Sequence, residues 1–477
     1  MQFLIPLHAR REPLFRQVYA GLRQAILDGR FHAGDRLPST RDLAEQLGVS
    51  RTVVVLAYEQ LLAEGFAVGR SGSGTYVPEG IAAARPVGRK IAVAPRLSRF
   101  GAFAAELGAD VDFPGRRARA LRWDFAYGRS DVDCFPFERW RRILQRRAQQ
   151  TSIRELDYGP ATGSEALRAA IGSHLQRSRA VACDPEQVIV VNGSQQALDL
   201  IARVLIEPGD DVAIEDPSYQ GTREVLRAAG ARLRAVAVDR DGVDPARLPD
   251  DARLAFVTPS HQFPTGAILP LARRRALLDW ARRANAVIVE DDYDGEFRYD
   301  DKPLESLQGL DAEGRVIYVG TFSRTMFSAL RIGYLVVPAP LVRAFTAAKW
   351  LCDRHTATLE QEALAEFIQS GLYERHLRRV RRRTAAGRPA LLEALRSHLG
   401  DRVAITGDGA GAHVMLWPHR PVVEEAAMAA AAARGVGIYG AQRYFLRRAP
   451  PPGFLLGYAR MRPADIRAGI RQLAGIF

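Results

Sequence analysis

Three short segments put chemically able side chains where a strand pattern ends. In Asn192-Gly193-Ser194-Gln195-Gln196 the apolar run QVIVV passes through small residues into a helical pattern. The unpaired N–H groups and dipole of such a helix start favour a phosphate. In Asp291-Asp292-Tyr293 an acid and a phenol follow the run AVIVE. In Thr321-Phe322-Ser323-Arg324 hydroxyls and a guanidinium follow RVIYVG, with Arg331 beyond them. The three ends together offer one phosphate grip and one acid. Taken singly, each residue has an ordinary use: Tyr219 of EDPSYQ as core, Asp291 as a cap, Arg331 in a surface ion pair.

These ends belong to a repeating pattern. From Trp123 onward the β-like runs QVIVV, DVAIED, RLRAVAV, RLAFVTP, AVIVED and RVIYVG alternate with helical stretches. That alternation predicts an α/β domain, a mainly parallel sheet with helices on both faces, in which ligands collect at the carboxyl ends of the strands. After Pro338 the pattern turns helical, passes through ERHLRRVRRR, and ends with mixed character, as a smaller C-terminal lobe would. The arginine run at 378–383 reads as a solvated or interface face.

The first 78 residues follow a different plan. Leu14, Val18, Leu22, Ile26 and Leu27 recur at helical spacing up to Asp28-Gly29. Ser39 and Asp42 predict a capped start for a second helix with Leu43, Ala44 and Leu47 inward, ended by Gly48. Ser50 is placed to cap a third helix that carries Val53, Val54, Ala57, Leu61 and Leu62 inward and finishes at Gly65. FAVGRSGSGTYV has strand-like ends around a Gly/Ser tip, the pattern of a β-hairpin wing. A helix, a helix-turn-helix and a wing form a DNA-binding plan, with Ser50, Arg51 and Thr52 leading into the major groove. Arg70 would reach phosphate or minor groove, and Arg36, Ser39 and Arg41 would hold the backbone. Any three-helix unit could show this spacing, and nine arginines against seven acids leave this block only +2.

Composition bounds the rest. The chain has 477 residues, 47% of them hydrophobic and 25% charged, as folded globular proteins do. Cys134, Cys183 and Cys352 are far apart, which argues against a disulfide scaffold or a zinc cluster, and no metal ligand set is expected. The charge of +13 is compatible with a polyanionic partner. Only Lys90, Lys302 and Lys349 are lysine among 67 basic residues, so the arginine excess reads first as a GC-rich coding bias. No targeting segment and no membrane-length apolar run is apparent, and the expected location is cytoplasmic. Residues 79–121, rich in Ala, Pro, Gly and Arg, read as a linker between domains at 1–78 and 122–477.

At this point the chain resembles the MocR/GabR-type members of the GntR regulators, a winged helix-turn-helix joined by a linker to a fold-type I aminotransferase-like domain. LPSTRDLAEQLGVSRTVVVLAYEQLLAEGF and GSGTYV carry the first half of the likeness. NGSQQALDL, EDPSYQG, PSHQFPTG, EDDYDGEFRYD and GTFSRTMFSALRIGY carry the second. The resemblance implies pyridoxal 5'-phosphate (PLP) as cofactor. Gly193, Ser194 and Gln195 would hold its phosphate with Thr321, Ser323 and Arg331. Tyr219 would stack on the ring, Asp291 would pair with the ring nitrogen, and Tyr293 would approach the ring hydroxyl. It also implies a homodimer, a double-stranded DNA operator and a small-molecule effector, PLP itself or an amino compound.

Two departures stand out. The family pattern GTFSKT carries the lysine that binds PLP covalently, and here that position is Arg324. A guanidinium stays protonated with its lone pairs delocalised, so it is neither nucleophile nor proton shuttle. The expectation is a regulator without transaminase activity. Either PLP is held noncovalently or the pocket takes another effector or none, and an aminotransferase with an accessory DNA-binding domain is the rival. Lys302 and Lys349 match the family at other positions. The second departure is Phe454-Leu455-Leu456-Gly457-Tyr458-Ala459, where some relatives place a carboxylate-binding arginine before the Gly-aromatic-Ala segment.

Overall fold

The computed structural model describes residues 5–7, 12–80, 96–108, 121–152, 157–298, 305–447 and 450–477, in two units, 1–96 and 97–477. In the first, helix α1 (Leu14–Leu27) turns Val18, Leu22, Ala25 and Ile26 inward. Helix α2 (Thr40–Leu47) begins at Ser39, whose hydroxyl accepts the Asp42 N–H at 3.1 Å. It ends at Gly48, whose φ of 64° is the left-handed turn that glycine tolerates. Helix α3 (Arg51–Ala63) follows directly. Ser50 stands at its N-cap position but makes no side-chain cap hydrogen bond, contrary to expectation. Val54, Ala57, Tyr58 and Leu61 face the core, whereas Leu62 is exposed. Tyr58 takes the inner face instead, its hydroxyl donating to the Pro38 carbonyl at 2.6 Å. Strands β1 (Val68–Arg70) and β2 (Gly74–Tyr76) pair antiparallel as the wing.

Ser39→Ala is expected to destabilise this unit by about 1 kcal/mol, because the Asp42 N–H loses its acceptor. Denaturation midpoints check it, with Ser39→Asp retaining the wild-type value.

The second unit opens with helix α4 (Arg99–Leu107), inside the stretch read as linker. Ser98 caps it by accepting the Gly101 N–H at 3.0 Å, and none of its residues is buried, which is why its periodicity is weak. The linker residues 81–95 and 109–120 lie outside the described ones. Strand β3 (Trp123–Asp124), helix α5 (Phe137–Gln150) and helix α6 (Glu165–Arg179) lead to the sheet. Its early part runs β4 (Val188–Val191), α7 (Ser194–Leu205), β5 (Asp211–Asp216), α8 (Gln220–Ala228), β6 (Arg232–Asp239), β7 (Gly242–Val243), β8 (Leu254–Val257) and α9 (Leu271–Arg283). Then come β9 (Val287–Asp291), α10 (Leu307–Leu310), β10 (Val316–Thr321) and β11 (Gly333–Val336).

The eight strands lie in the order β4-β11-β10-β9-β8-β5-β6-β7, with only β11 and the short β7 antiparallel to their neighbours. Alternation along each strand sorts the side chains. Ile189, Val191, Val212, Ile214, Val289 and Val319 meet α7 and α8 on one face. Val188, Val190 and Tyr318 meet α6 on the other, where Ala255 and Ile288 meet α9.

Helices α11 (Val342–Asp353), α12 (Thr358–Gln369) and α13 (Leu372–Leu399) lead to the smaller lobe. There β12 (Val403–Thr406), β13 (His413–Pro418), α14 (Glu424–Ala433), β14 (Val436–Gly437), β15 (Tyr439–Gly440), β16 (Phe454–Gly457) and α15 (Pro463–Leu473) build a four-stranded antiparallel sheet, β12-β13-β16-β15, and its cover. The arginine run on α13 is not a merely solvated face. Arg381 pairs with Glu296 at 2.6 Å and Arg383 with Asp131 at 3.1 Å, so the helix is pinned to the domain through them.

Candidate functional site

The carboxyl ends of β4, β5, β9 and β10 converge, and the candidates gather there. Gly193, at φ 83°, turns the chain from β4 into α7, whose first residues are Ser194 and Gln195. Arg331 comes back across this turn and donates to the Asn192 carbonyl at 2.9 Å. Its guanidinium packs against Gly193 so closely that any Cβ there would collide with it. Tyr219 precedes α8, and its ring and the Gln195 side chain crowd Gly221 together. Thr321 ends β10, its hydroxyl accepting the Ser323 N–H at 3.1 Å. Behind the turn, Asp353 accepts from Asn192 at 2.6 Å and Gln196 at 2.7 Å, and from the fully buried Lys349 ammonium at 2.5 Å. Lys349 is thereby a support of the turn, and Lys302 lies outside the described residues.

Asp291 ends β9, and its Oδ1 is buried with no hydrogen-bond partner among the described residues. Burial first, then the Asp292 carboxylate, pushes its carboxyl up to about 7. Tyr293 donates to the His261 carbonyl at 2.8 Å. Arg324 lies 4.3 Å over the Tyr127 ring, donates to its hydroxyl at 2.5 Å, and stands 5.8 Å from the Tyr293 ring. Gly128, at φ 89°, makes room, since a Cβ would meet the guanidinium at 2.8 Å. Tyr127, Phe263 and Tyr444, which the sequence reading did not single out, complete an aromatic wall, Phe263 lying 5.0 Å from Tyr127 and 4.9 Å from Tyr444. Phe263 sits in PSHQFPTG, a visible motif without an obvious chemistry. Both ends of the site suit a phosphopyridine: an orphaned acid at one and a glycine-arginine cradle at the helix start at the other.

A buried network steadies these loops. Both ring nitrogens of His174 meet carboxylates at 2.9 Å, Glu296 and Glu374. Burial works against its charge, but the two acids raise His174 to about 9. For Glu296 burial is likewise outweighed, by His174 and then Arg381, which hold it at about 2. The His174 contribution is complete below its ordinary 6.5 and lost as pH rises through about 9. The Glu296 contribution is complete above its ordinary 4.5 and lost as pH falls through about 2. Denaturation midpoints are therefore expected to fall more between pH 6.5 and 9 in the wild type than in His174→Gln.

In the N-terminal unit Ser50, Arg51 and Thr52 are exposed at the start of α3, Arg51 reaching Thr40 of α2 at 3.4 Å. Arg41 is exposed on α2. Arg70 lies 4.7 Å over the Tyr76 ring, and Arg36 bridges to Tyr76 through its backbone and lies along Gly74, so both arginines belong to the wing. The Ser39 oxygen accepts the cap hydrogen bond, which leaves its O–H as a donor.

Residues 14–77 match the bacterial regulatory proteins of the gntR family, and residues 125–470 match aminotransferase class I and II. The probable rhizopine catabolism regulatory protein MocR of Rhizobium meliloti is 42% identical over 98% of this chain and 94% of its own. The chain belongs to the MocR-type transcription regulators. Another such relative, the pyridoxine biosynthesis transcriptional regulator PdxR of Corynebacterium glutamicum, is 30% identical over 93% of this chain and 91% of its own. Among solved structures, the α-aminoadipate aminotransferase LysN of Thermus thermophilus, complexed with N-(5'-phosphopyridoxyl)-L-leucine, superposes with a TM-score of 0.71 and 28% identity, covering 80% of this chain and 98% of that one. This MocR-type regulator thus joins a DNA-binding helix-turn-helix to a fold that typically binds PLP. Among the described residues no helix is long and apolar enough to cross a membrane.

Proposed function

We propose that this MocR-type regulator reads a two-half-site operator as a homodimer and senses PLP, or an amino compound presented with it, through a pocket that holds the cofactor without a covalent bond. The orphaned Asp291 Oδ1 carries the reading, because a buried carboxylate oxygen without a partner calls for a cation or an N–H beside it. When bound, PLP supplies an electron-poor ring and an aldehyde. Asp291 would hold the ring nitrogen, Tyr219 the ring face, and Tyr293 the side of the ring hydroxyl. Gly193, Ser194, Gln195, Thr321, Ser323 and Arg331 would hold the phosphate. Arg324 stands in the family's lysine position, and its commitment to Tyr127 supports a binding role in place of a nucleophilic one. A ligand shifts the DNA-binding state only through unequal affinity for two arrangements of the protein. Ser50, Arg51 and Thr52 would read bases, and Arg36, Ser39, Arg41 and Arg70 would hold the backbone, in the cytoplasm where such operators lie.

The test is a PLP titration of the purified chain followed by borohydride. Saturable binding with no cofactor left on any lysine is expected. Arg324→Lys is expected to restore a borohydride-trappable covalent adduct. Adduct formation in the wild type, with steady conversion of amino acids to keto acids, would establish the aminotransferase reading, and no saturable binding would establish a cofactor-free regulator.

A further inference from the structure

His261, Asp294 and His413 form a cluster that PLP binding does not use. They come from three places: the loop after β8, the loop after β9, and the start of β13 in the smaller lobe. All three are buried, with exposures of 2%, 5% and 0%. The Nδ1 atoms of both imidazoles converge on Oδ2 of Asp294, His261 at 3.2 Å and His413 at 4.0 Å. One ligand atom from each residue lies within 4.8 Å of the others.

Proton accounting leaves this cluster incomplete. The His413 Nε2–H donates to the Pro264 carbonyl at 3.1 Å, which fixes its tautomer and leaves Nδ1 as a lone pair. That Nδ1 has no partner among the described residues. His261 Nδ1 is partnered as it stands, by Asp294 Oδ2 at 3.2 Å and by the Tyr293 hydroxyl oxygen at 3.2 Å, and Oδ2 also accepts the Ala412 N–H at 3.2 Å, so the vacancy in the cluster is at His413 Nδ1. On the far side of the His261 ring Nε2 is also buried without a partner among the described residues, and it faces Gly266, where a Cβ would approach to 2.9 Å. Gly411 closes one flank of the His261–Asp294 pair, where a Cβ would come within 2.4 Å of Nδ1 and 2.7 Å of Oδ2, so an ion joining the three groups has to lie toward the unpaired His413 Nδ1.

We propose that His261, Asp294 and His413 bind one divalent first-row cation such as Zn2+, through both Nδ1 atoms and Oδ2. Such an ion takes imidazole and carboxylate ligands at about 2.0–2.2 Å and sits at the centre of a group this size after a small inward movement. The Pro264 carbonyl on His413 Nε2 is the outer-shell partner that orients a ligating imidazole. Because His413 begins β13 while the other two hang from the large sheet, the ion would clamp the smaller lobe to the large one.

The test uses the full chain, stripped with a chelator and free of PLP, titrated with Co2+ and then Zn2+. One ion per chain is expected, with the intense visible absorption of a low-coordinate Co2+ site and a raised unfolding midpoint with Zn2+. His413→Gln and Asp294→Asn are expected to weaken binding at least about tenfold, while His419→Gln at an exposed site leaves it unchanged. X-ray absorption of the Zn2+-loaded wild type, which needs no variant to fold, is expected to show two imidazoles and a carboxylate. No saturable ion, equal affinity in a folded His413→Gln chain, or a zinc shell without two imidazoles would overturn the proposal.

Discussion

Arg331→Ala is expected to weaken PLP binding by about 100-fold while the chain keeps its fold. A phosphate dianion at the start of α7 draws on two sources, the helix N–H groups and the guanidinium that leans over Gly193. Hydrogen bonds to charged groups contribute about 1.5–3 kcal/mol, which is about 10- to 150-fold in affinity. Losing a charged, forked donor belongs near the upper end. Arg331→Lys keeps the charge without the fork and is expected to fall between the two. Asp291→Ala removes the opposite anchor and should weaken binding too, with pyridoxal losing as much as PLP, whereas Arg331→Ala penalises PLP selectively. Equal titration curves for wild type and Arg331→Ala would remove the phosphate from this turn.

The second large effect concerns DNA. Arg51→Ala is expected to reduce operator affinity by about 10- to 100-fold, since a well-placed arginine on a base edge contributes about 1–3 kcal/mol. Its fold should be untouched, because the side chain is exposed and its hydrogen bond to Thr40, at 3.4 Å, is long. The salt dependence distinguishes two ways of acting. A base contact leaves the slope of affinity against salt unchanged and relaxes specificity at one position, while a phosphate contact lowers the slope by about one. Unchanged specific binding would take Ser50, Arg51 and Thr52 out of the groove.

How far these sites were legible depends on how local their signals are. Five of the six apolar runs fold as strands because burial on both faces writes itself into four to six consecutive residues, while RLRAVAV becomes the longer β6 with Val236 its one buried residue, and Gly193 marks its own turn. β11, inserted between β4 and β10, goes unread because no helix separates GYLV from β10 to mark it as another strand of the alternation. Ser50 has the right type at the right place, yet a capping position does not compel a capping hydrogen bond. Leu62 turns outward, and Arg381 and Arg383 take the interface side of their two-way reading, for a shared reason: periodicity tells which residues lie on one face, and only packing decides what that face meets. Tyr127, His261 and His413 are invisible as a group, since more than a hundred positions separate each from the next and only the topology joins them.

Asp353 holds one further implication. It is the last residue of α11, and it grips both Asn192 and Gln196 at the root of the anion turn. The same helix end displays Trp350 and Leu351 to the outside, 51% and 76% exposed. The helix end that anchors the turn is therefore also the one that carries this outer ridge.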